Sequence, residues 1–163
     1  MNDGPSRFDV FLSSEAQRIN AARQNHLATL ALPISGRRVL EVGAGIGLHT
    51  AFFEERKCDV LSTDGSAVNL AEIKRRFPGR KTALLDLDDP GDITRLGTFE
   101  LVYCYGTLYH LSDPDGAIAR MASICSGQIL LETIVALGNY PELHRVTDPP
   151  ADNQGIHGLR SEE

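Results

Sequence analysis

The chain has 163 residues, of which 42% are apolar, and its formal net charge at pH 7 is −6. This length is the usual size of a single domain with one hydrophobic core. A net negative charge disfavours nucleic acid as a partner, because binding a phosphate backbone needs a basic face. No stretch approaches the roughly 20 apolar residues of a membrane span, and the first residues show no signal-peptide pattern, so we expect no membrane association.

The chain opens with a segment, residues 1–12, that we expect to be irregular. A helix should follow, capped by Ser13 or Ser14. Its charged residues Arg18 and Arg23 are expected to face solvent, as most charged residues on helices do. Because this helix precedes the first strand, it should lie outside the core, where it can cover a site.

Beyond this helix, short apolar runs alternate with helical patterns. The runs predicted as strands are residues 39–42, 58–63, 81–85, 99–104 and 128–134. The helices predicted between them cover residues 47–56, residues 67–76 and a segment from Pro114 to Gly127, with a weak helix near Ile93 and Leu96. This alternation predicts βαβ units, and therefore an α/β fold with a doubly wound, mainly parallel sheet and helices on both faces.

The pattern divides the chain into three parts. Residues 1–36 form a helical cap, residues 37–136 an α/β core, and residues 137–163 an irregular tail that is a candidate lid over an acceptor. The tail residues expected to contribute to this lid are His144, Asn153, Gln154 and His157. No strand is evident after the fifth, so the sheet keeps an open edge unless the tail, a partner or a missing segment covers it. Two copies of the chain can pair as a homodimer through such an edge.

The three cysteines, Cys58, Cys104 and Cys125, are widely spaced and odd in number. This pattern is typical neither of a disulfide framework nor of a metal site. The five histidines are scattered as well. We therefore expect buried free thiols, no metal and a location in the cytoplasm.

Glycines and acids follow the ends of the predicted strands. Residues 43–47 follow the first strand, Asp64 ends the second, Asp86 follows the third, and residues 104–110 end and follow the fourth. In a parallel sheet the carboxyl ends of the strands lie at one edge, and ligands bind there beside the point where the strand order reverses. These residues are therefore expected to line one site.

The glycine turn is the first guide to the ligand. Gly43, Gly45 and Gly47 interrupt the chain between the first strand and the next helix. Backbone N–H groups at such a turn suit an anionic or polar group, and glycine lets that group approach. A dinucleotide fingerprint needs glycine or alanine at its sixth position, where this chain has Leu48, so the spacing disfavours a nicotinamide dehydrogenase.

Two acids narrow the ligand further. Glu41, two residues before the first glycine, would repel a diphosphate but suits a cationic group such as an α-ammonium. Asp64 can accept from both hydroxyls of a ribose. The ligand implied has a ribose, an amine and no pyrophosphate, and S-adenosylmethionine matches that description.

Four segments also carry a family resemblance. Residues 39–47, Val-Leu-Glu-Val-Gly-Ala-Gly-Ile-Gly, resemble the first motif of the class I S-adenosylmethionine-dependent methyltransferases. Asp64 stands where that family has its ribose-binding acid, and Asp86 resembles the acid after the third strand. Residues 99–111 are similar to the fourth-strand motif, which ends in a His-Leu or His-Val pair. The resemblance extends over about residues 15 to 135.

This resemblance implies a Rossmann-like methyltransferase fold and a cofactor site, with S-adenosylhomocysteine as the product. The cofactor-binding residues that it implies are Glu41, Gly43, Ala44, Gly45 and Gly47 at the methionine end, Asp64 at the ribose, Gly65, Ser66, Asp86 and Leu87 at the adenine, and Cys104 and Tyr105 by backbone contacts near the methionine. The family's sheet has seven strands and ends in an antiparallel hairpin. With five strands evident here, we expect that hairpin to be missing from a shortened chain.

The acceptor side is less defined by the sequence. Tyr105, Tyr109 and His110 are the candidate acceptor-binding residues. Methyl transfer is an in-line displacement at a sulfonium, and much of its acceleration comes from alignment. A base is needed only when the acceptor arrives protonated. His110 is therefore either the catalytic base or, as we favour, a pocket-lining or structural residue.

The sequence thus predicts an enzyme that methylates a small-molecule acceptor. The carboxyl edge of the sheet, with the loops that follow its strands, is called the rim below. Nothing along the rim indicates whether oxygen, nitrogen or carbon is methylated. The alternative is a non-catalytic methyltransferase-like module for binding or assembly, which the abbreviated C-terminal region suggests.

Overall fold

The computed structural model describes residues 6–135, together with the backbone of residues 145–146 and 158–159. The described strands of its main sheet are β1 (Arg38–Val42), β2 (Asp59–Asp64), β3 (Lys81–Leu84), β4 (Phe99–Tyr105) and β5 (Cys125–Glu132). All pairs are parallel, and the order is β3-β2-β1-β4-β5. The order therefore reverses between β1 and β4, which is where ligands bind in such sheets.

The helices alternate with these strands as predicted. They are α1 (Asp9–Leu12), α2 (Ser14–Thr29), α3 (Thr50–Glu54), α4 (Ala67–Arg76) and α5 (Pro114–Ser123), with 3₁₀ helices at Ile93–Leu96 and Leu108–His110. Two predicted caps are confirmed. The Ser13 hydroxyl accepts from the Ala16 N–H at 3.1 Å, and the Asp113 carboxylate accepts from the Gly116 N–H at 2.9 Å.

Both faces of the sheet are buried under helices. One core cluster joins Leu40 and Val102 of the sheet to Met121 of α5. The other joins neighbouring strand residues, Val39 among them, to Leu27 of α2 and to α3. A strand that is covered on both faces is apolar at nearly every position, which explains why the strands were visible as continuous apolar runs.

Two predictions for the chain before β2 were wrong. The lead contains the four-residue helix α1, which is too short to produce a periodic pattern. The helix after the glycine turn begins at Thr50, three residues later than predicted, because Gly47 has a φ of 77°. A left-handed residue cannot be part of a right-handed helix, so residues 45–49 form a turn instead.

Gly127 does not end a helix, contrary to the prediction. Helix α5 ends at Ser123 and strand β5 begins at Cys125, so Gly127 lies within the strand. A Cβ at this position would overlap the carbonyl oxygen of Glu100. The pairing register shifts at the same place, between Phe99 and Leu101. The glycine therefore allows the close approach of two backbones at a bulge.

The tail adds a pair of strands that the sequence did not predict. β6 (Arg145–Val146) and β7 (Gly158–Leu159) pair antiparallel as a separate two-stranded sheet. Two residues are too few for an alternating pattern. The predicted lid residues His144, Asn153, Gln154 and His157 lie outside the described residues. The three-part division of the chain stays a prediction.

The described part of the chain lacks two further features. It has no helix that is long and apolar enough to cross a membrane. Nor do three or more metal-ligating side chains come together in that part. Cys58, Cys104 and Cys125 are free thiols, as predicted. Cys104 is buried, but Cys58 and Cys125 are only partly buried, so the prediction of burial was wrong for these two.

Candidate functional site

The glycine turn after β1 is built from left-handed residues. Gly43, Gly45 and Gly47 have φ angles of 67°, 55° and 77°. A Cβ at Gly43 would overlap the side chain of Thr107, and one at Gly45 would lie 2.8 Å from the ring of Phe11. Both conformation and space therefore require glycine at the first two positions.

Neighbouring backbone bonds hold this turn in place. The Ala44 N–H donates to Thr63 O at 2.9 Å, which anchors the turn on β2, and the Gly47 N–H donates to Ala44 O at 2.8 Å. Thr107, after β4, packs against the first glycine, so the turn contacts both strands that flank β1 in the sheet. The predicted cofactor-binding turn thus lies at the switch point.

Asp64 connects the turn to the start of α4. Its Oδ2 accepts from the Gly45 N–H at 2.8 Å, while Oδ1 accepts from the Ser66 N–H at 2.8 Å and from Asn69 Nδ2 at 3.1 Å. Burial raises the pKa of Asp64, and these donors oppose that shift. Each carboxylate oxygen can accept two bonds, so Oδ2 can still accept one from a ribose hydroxyl.

Glu41 is buried beneath the turn with one oxygen satisfied. Its side chain is 1% exposed, and Oε2 accepts from the hydroxyls of Thr50 and Ser62 at 2.6 and 2.7 Å. Oε1 has no hydrogen-bond partner among the described residues. Burial raises the pKa of Glu41, and the two hydroxyls and the charge of Arg80 oppose this shift. A buried carboxylate oxygen without a partner is costly, and a cationic donor would satisfy it.

The residues predicted at the adenine lie at the ends of β2 and β3. A Cβ at Gly65 would be in ordinary contact, 3.8–3.9 Å, with the backbone of Leu85 and Asp86, which places the two loops side by side. Ser66 is the N-cap of α4, since its hydroxyl accepts from the Asn69 N–H at 3.4 Å. The predicted residues after β2 and after β3 are therefore neighbours.

The side chains of the acidic loop after β3 differ in their exposure and in their hydrogen-bond partners. Asp86 is exposed and accepts only from the Asp88 N–H among the described contacts, at 2.9 Å. Asp88 instead accepts from the Ser112 and Asp113 N–H groups, which joins the loop to the start of α5. Leu87 is a core residue that is 3% exposed, and its carbonyl oxygen accepts from Arg120 Nη2 at 2.7 Å, so its predicted contact with the adenine stays a prediction.

The predicted acceptor-side residues Tyr105, Tyr109 and His110 lie at the end of β4 and in the 3₁₀ helix that follows it. Cys104 is fully buried, and burial raises the pKa of its thiol to about 12. Tyr105 is half-buried, and its ring stacks on that of Tyr103 with 4.3 Å between centroids. Tyr109 and His110 follow on a 3₁₀ helix, with their ring centroids 4.2 Å apart. Cys104 as a whole is buried, between its neighbours Val42 of β1 and Leu131 of β5, so its predicted backbone contact with the cofactor stays a prediction.

A histidine that the sequence did not single out lies directly after the turn. His49 Nδ1 is 2.5 Å from the Tyr103 hydroxyl, and its Nε2 is 2.8 Å from Asn20 Oδ1 of α2. With the amide oxygen as acceptor, His49 carries its proton on Nε2 and accepts from Tyr103. Burial, with a contribution from the charge of Arg23, lowers the pKa of His49 to about 4. The imidazole is therefore neutral at physiological pH.

Helix α2 contacts the rim through a second polar side chain, Arg23. Its Nη2 lies 2.7 Å from Glu132 Oε2 at the end of β5; the atoms are not aligned as a hydrogen bond, so the contact is an ion pair. A Cβ at Gly106 would lie 2.9 Å from the same guanidinium. The prediction that Arg23 faces solvent was wrong, because its side chain is only 21% exposed. A charged residue on a helix gives no sequence signal for such a contact.

Comparison with known proteins bears directly on this site. A family model described as a methyltransferase domain matches residues 14–159. The tRNA U34 carboxymethyltransferase of Aeromonas salmonicida is 31% identical over 123 residues, which is 71% of this chain and 38% of that protein. The protein of the same name from Pseudoalteromonas translucida is 30% identical over 113 residues, 66% of this chain and 35% of that protein. The chain spans about a third of the length of these curated relatives.

Solved structures show the same fold. The N-terminal domain of EvdMO1 with SAH bound superposes with a TM-score of 0.66 at 23% identity, covering 94% of this chain and 69% of that one. An S-adenosylmethionine-dependent methyltransferase from Mesorhizobium loti has a TM-score of 0.52 at 25% identity, with coverage of 61% and 48%. The predicted Rossmann-like methyltransferase fold is confirmed. The family model covers most of the chain, which therefore belongs to the methyltransferase domain family as a class I S-adenosylmethionine-dependent methyltransferase domain.

Proposed function

We propose that the chain binds S-adenosylmethionine across the carboxyl edge of its sheet and transfers the methyl group to a small-molecule acceptor. The observation that carries this proposal is the pair of buried acids at the glycine turn. Glu41 has one oxygen without a hydrogen-bond partner in the part of the chain that the structure describes. Asp64 accepts from the Gly45 N–H of the turn at 2.8 Å, and one acceptor position remains on its Oδ2. An ammonium and a ribose hydroxyl satisfy these two oxygens, whereas a diphosphate would be repelled by Glu41.

The other predicted residues are assigned to the methionine and adenine parts of the cofactor. The backbone of residues 43–47 would lie against the methionine end, where the left-handed glycines have no Cβ. The adenine would lie between the loop at Gly65 and Ser66 and the loop at Asp86 and Leu87. The two loops are close enough for one adenine to contact both, since a Cβ at Gly65 would lie 3.8–3.9 Å from the backbone of Leu85 and Asp86. Phe11 covers the turn from the side of α1, so it would contact the methionine end or move when the cofactor binds.

The proposed reaction is a displacement on the methyl carbon. A lone pair of the acceptor forms the new bond to carbon while the carbon–sulfur bond breaks, and its electron pair stays on sulfur to give S-adenosylhomocysteine. The cofactor supplies an activated methyl group when bound. The chain contributes alignment of the two reactants and a site shielded by α2. His110 lines this side, and it would accept a proton only if the acceptor arrives protonated.

Charge supports a small acceptor over RNA. The net charge is −6, and two of the arginines near the rim are paired with acids: Arg23 with Glu132 at 2.7 Å and Arg80 with Glu54 at 2.8 Å. No row of uncompensated cations is therefore evident along the described rim. RNA is the second candidate, because the curated relatives are named tRNA U34 carboxymethyltransferases. Their alignments cover about a third of each relative, so most of each relative is not represented in this chain.

Two further predictions remain part of this proposal. A cytoplasmic location rests on the free cysteines. A homodimer through the open edge of the sheet rests on β5, where Leu131 is 39% exposed at the edge. Sedimentation at several protein concentrations would test the dimer, since a monomer throughout would contradict it.

A labelled-methyl assay tests the reaction and the acceptor together. The protein is incubated with methyl-labelled S-adenosylmethionine and either a panel of small metabolites or bulk tRNA, with Asp64→Ala as the inactive control. Label in a small molecule, lost in the control, is expected. Label in tRNA alone would refute the small-molecule acceptor. Cofactor binding without any transfer would favour the alternative of a non-catalytic binding or assembly module.

A further inference from the structure

Arg80 lies in the loop between α4 and β3 and contacts the glycine turn from the side of β3. Its Nη1 donates to the carbonyl oxygen of Gly47 at 2.6 Å. Its Nε and Nη2 donate to the two carboxylate oxygens of Glu54 at 2.9 and 2.8 Å. The guanidinium carbon also lies 3.7 Å from the ring centroid of Phe77. The side chain is 8% exposed, so one planar cation is held by three partners in a largely buried position.

These partners are the two ends of the segment that follows the turn. Gly47 is the last glycine, and Glu54 is the last residue of α3. A helix of five residues has little stability of its own, so its position depends on side-chain contacts. Arg80 therefore fixes both where the turn ends and where the short helix runs. A Cβ at Gly47 would lie 3.0 Å from Nη1, so the contact is close on the glycine side as well.

The same short helix also holds the buried acid. Thr50, its first residue, donates to Glu41 Oε2 at 2.6 Å. Displacing α3 would therefore move the hydroxyl that orients Glu41. The positive charge of Arg80 acts in the same direction, because it lowers the pKa of Glu41 against the effect of burial. Position and charge both connect Arg80 to the methionine end of the proposed site.

We propose that Arg80 is a positioning residue for the amino-acid end of the cofactor, acting through Gly47, α3 and Glu41 without touching the cofactor. This inference rests on the proposed cofactor site. The adenosine end is held by different residues, Asp64 and the loops after β2 and β3, none of which contacts Arg80 in the described hydrogen bonds. Loss of Arg80 should therefore weaken recognition of one end of the ligand selectively.

Two ligands separate this role from a general structural one. S-adenosylhomocysteine carries the amino-acid part, and 5′-methylthioadenosine lacks it. In calorimetry on the full chain, Arg80→Gln is expected to weaken S-adenosylhomocysteine binding about tenfold, as for loss of charge-assisted hydrogen bonds, and methylthioadenosine binding less than about threefold. Arg80→Lys keeps the positive charge but not the bidentate contact with Glu54, so its loss of affinity for S-adenosylhomocysteine should be intermediate. It also provides a milder variant if Arg80→Gln does not fold.

Arg75→Gln is the matched control. Arg75 makes the same bidentate contact, with Glu72 at 2.7 and 2.7 Å, but its side chain is 70% exposed on α4. This variant should bind both ligands as the unchanged protein does. Equal weakening of both ligands by the Arg80 variants, or no weakening, would overturn the inference while leaving the cofactor site intact. Failure of the unchanged protein to bind S-adenosylhomocysteine would overturn the proposed function, and this inference with it.

Discussion

At the scale of single residues, Glu41 combines a cost in stability with a proposed role in binding. Burial raises its pKa, so the folded state holds the proton more tightly than the unfolded state does. The stabilising contribution of the protonated form is complete below the ordinary value of 4.5 and is lost as the pH rises through the folded value. At pH 8 the side chain therefore destabilises the free protein, because ionising the buried carboxyl and holding its proton at that pH both cost free energy.

Glu41→Gln should consequently stabilise the free protein while weakening ligand binding. The amide oxygen can still accept from Thr50 and Ser62, but the charge is gone. We expect the free energy of unfolding at pH 8 to rise by about 1 kcal/mol, and the gain to shrink toward pH 4. Denaturant titrations across this pH range measure the first effect. Calorimetry with S-adenosylhomocysteine should show weaker binding in the same variant.

Asp64→Asn is the comparison for that variant. Burial raises the pKa of Asp64 too, but both of its oxygens accept from N–H donors. An amide NH₂ in place of either oxygen would face a donor, so this variant should lose stability at every pH. If Glu41→Gln destabilised the protein as Asp64→Asn does, the interpretation of Glu41 as an under-satisfied acid would be wrong.

At the scale of elements, two glycines allow the backbone cost of a substitution by alanine to be separated from its steric cost. Gly43 and Gly36 both have left-handed φ angles, 67° and 76°. A Cβ at Gly43 would overlap Thr107, whereas one at Gly36 would meet nothing within 4 Å. Gly36→Ala should therefore cost about 1 kcal/mol for its backbone alone, and Gly43→Ala clearly more. Thermal unfolding measures both.

A second change tests the reason for the difference. Thr107→Ala in the Gly43→Ala background removes the overlapping methyl and hydroxyl groups, so part of the loss should be recovered. Equal melting temperatures for Gly36→Ala and Gly43→Ala would contradict the steric account. The steric cost at Gly43 therefore depends on the loop after β4, since Thr107 of that loop packs against the turn.

Helix α2 provides a matched pair of arginines. Arg23 forms an ion pair with Glu132 across the rim, while Arg18 is exposed on the same helix. Arg23→Ala should cost about 1 kcal/mol or less, as expected for a partly exposed pair, and should speed amide exchange in α2. Arg18→Ala should change neither. Hydrogen exchange by mass spectrometry measures the effect, and equal exchange in both variants would show that Arg23 does not hold the helix.

At the scale of the whole molecule, the sheet was predictable and some contacts of the site were not. The central strands β1 and β4 appeared in the sequence as mostly apolar runs, because both of their faces are buried. The misplaced boundaries are at Gly47 and Gly127, where a left-handed φ and a close backbone approach decided the structure. A periodic pattern carries neither kind of information.

The candidate site divides in the same way. Glu41, Asp64 and the glycines were found because strand ends in a parallel sheet must converge. Arg23, His49 and Arg80 were not found, because each acts through a partner distant in sequence, such as Glu132 for Arg23. A charged side chain on a helix or after a turn usually faces solvent, so only the assembled fold distinguishes these residues from solvated ones.

Calorimetry with S-adenosylhomocysteine and with NAD shows whether this edge of the sheet is an S-adenosylmethionine site. We expect the unchanged protein to bind S-adenosylhomocysteine, the Asp64→Ala variant to lose that binding, and neither to bind NAD tightly. Tight NAD binding, or S-adenosylhomocysteine binding that Asp64→Ala leaves unchanged, would contradict the assignment.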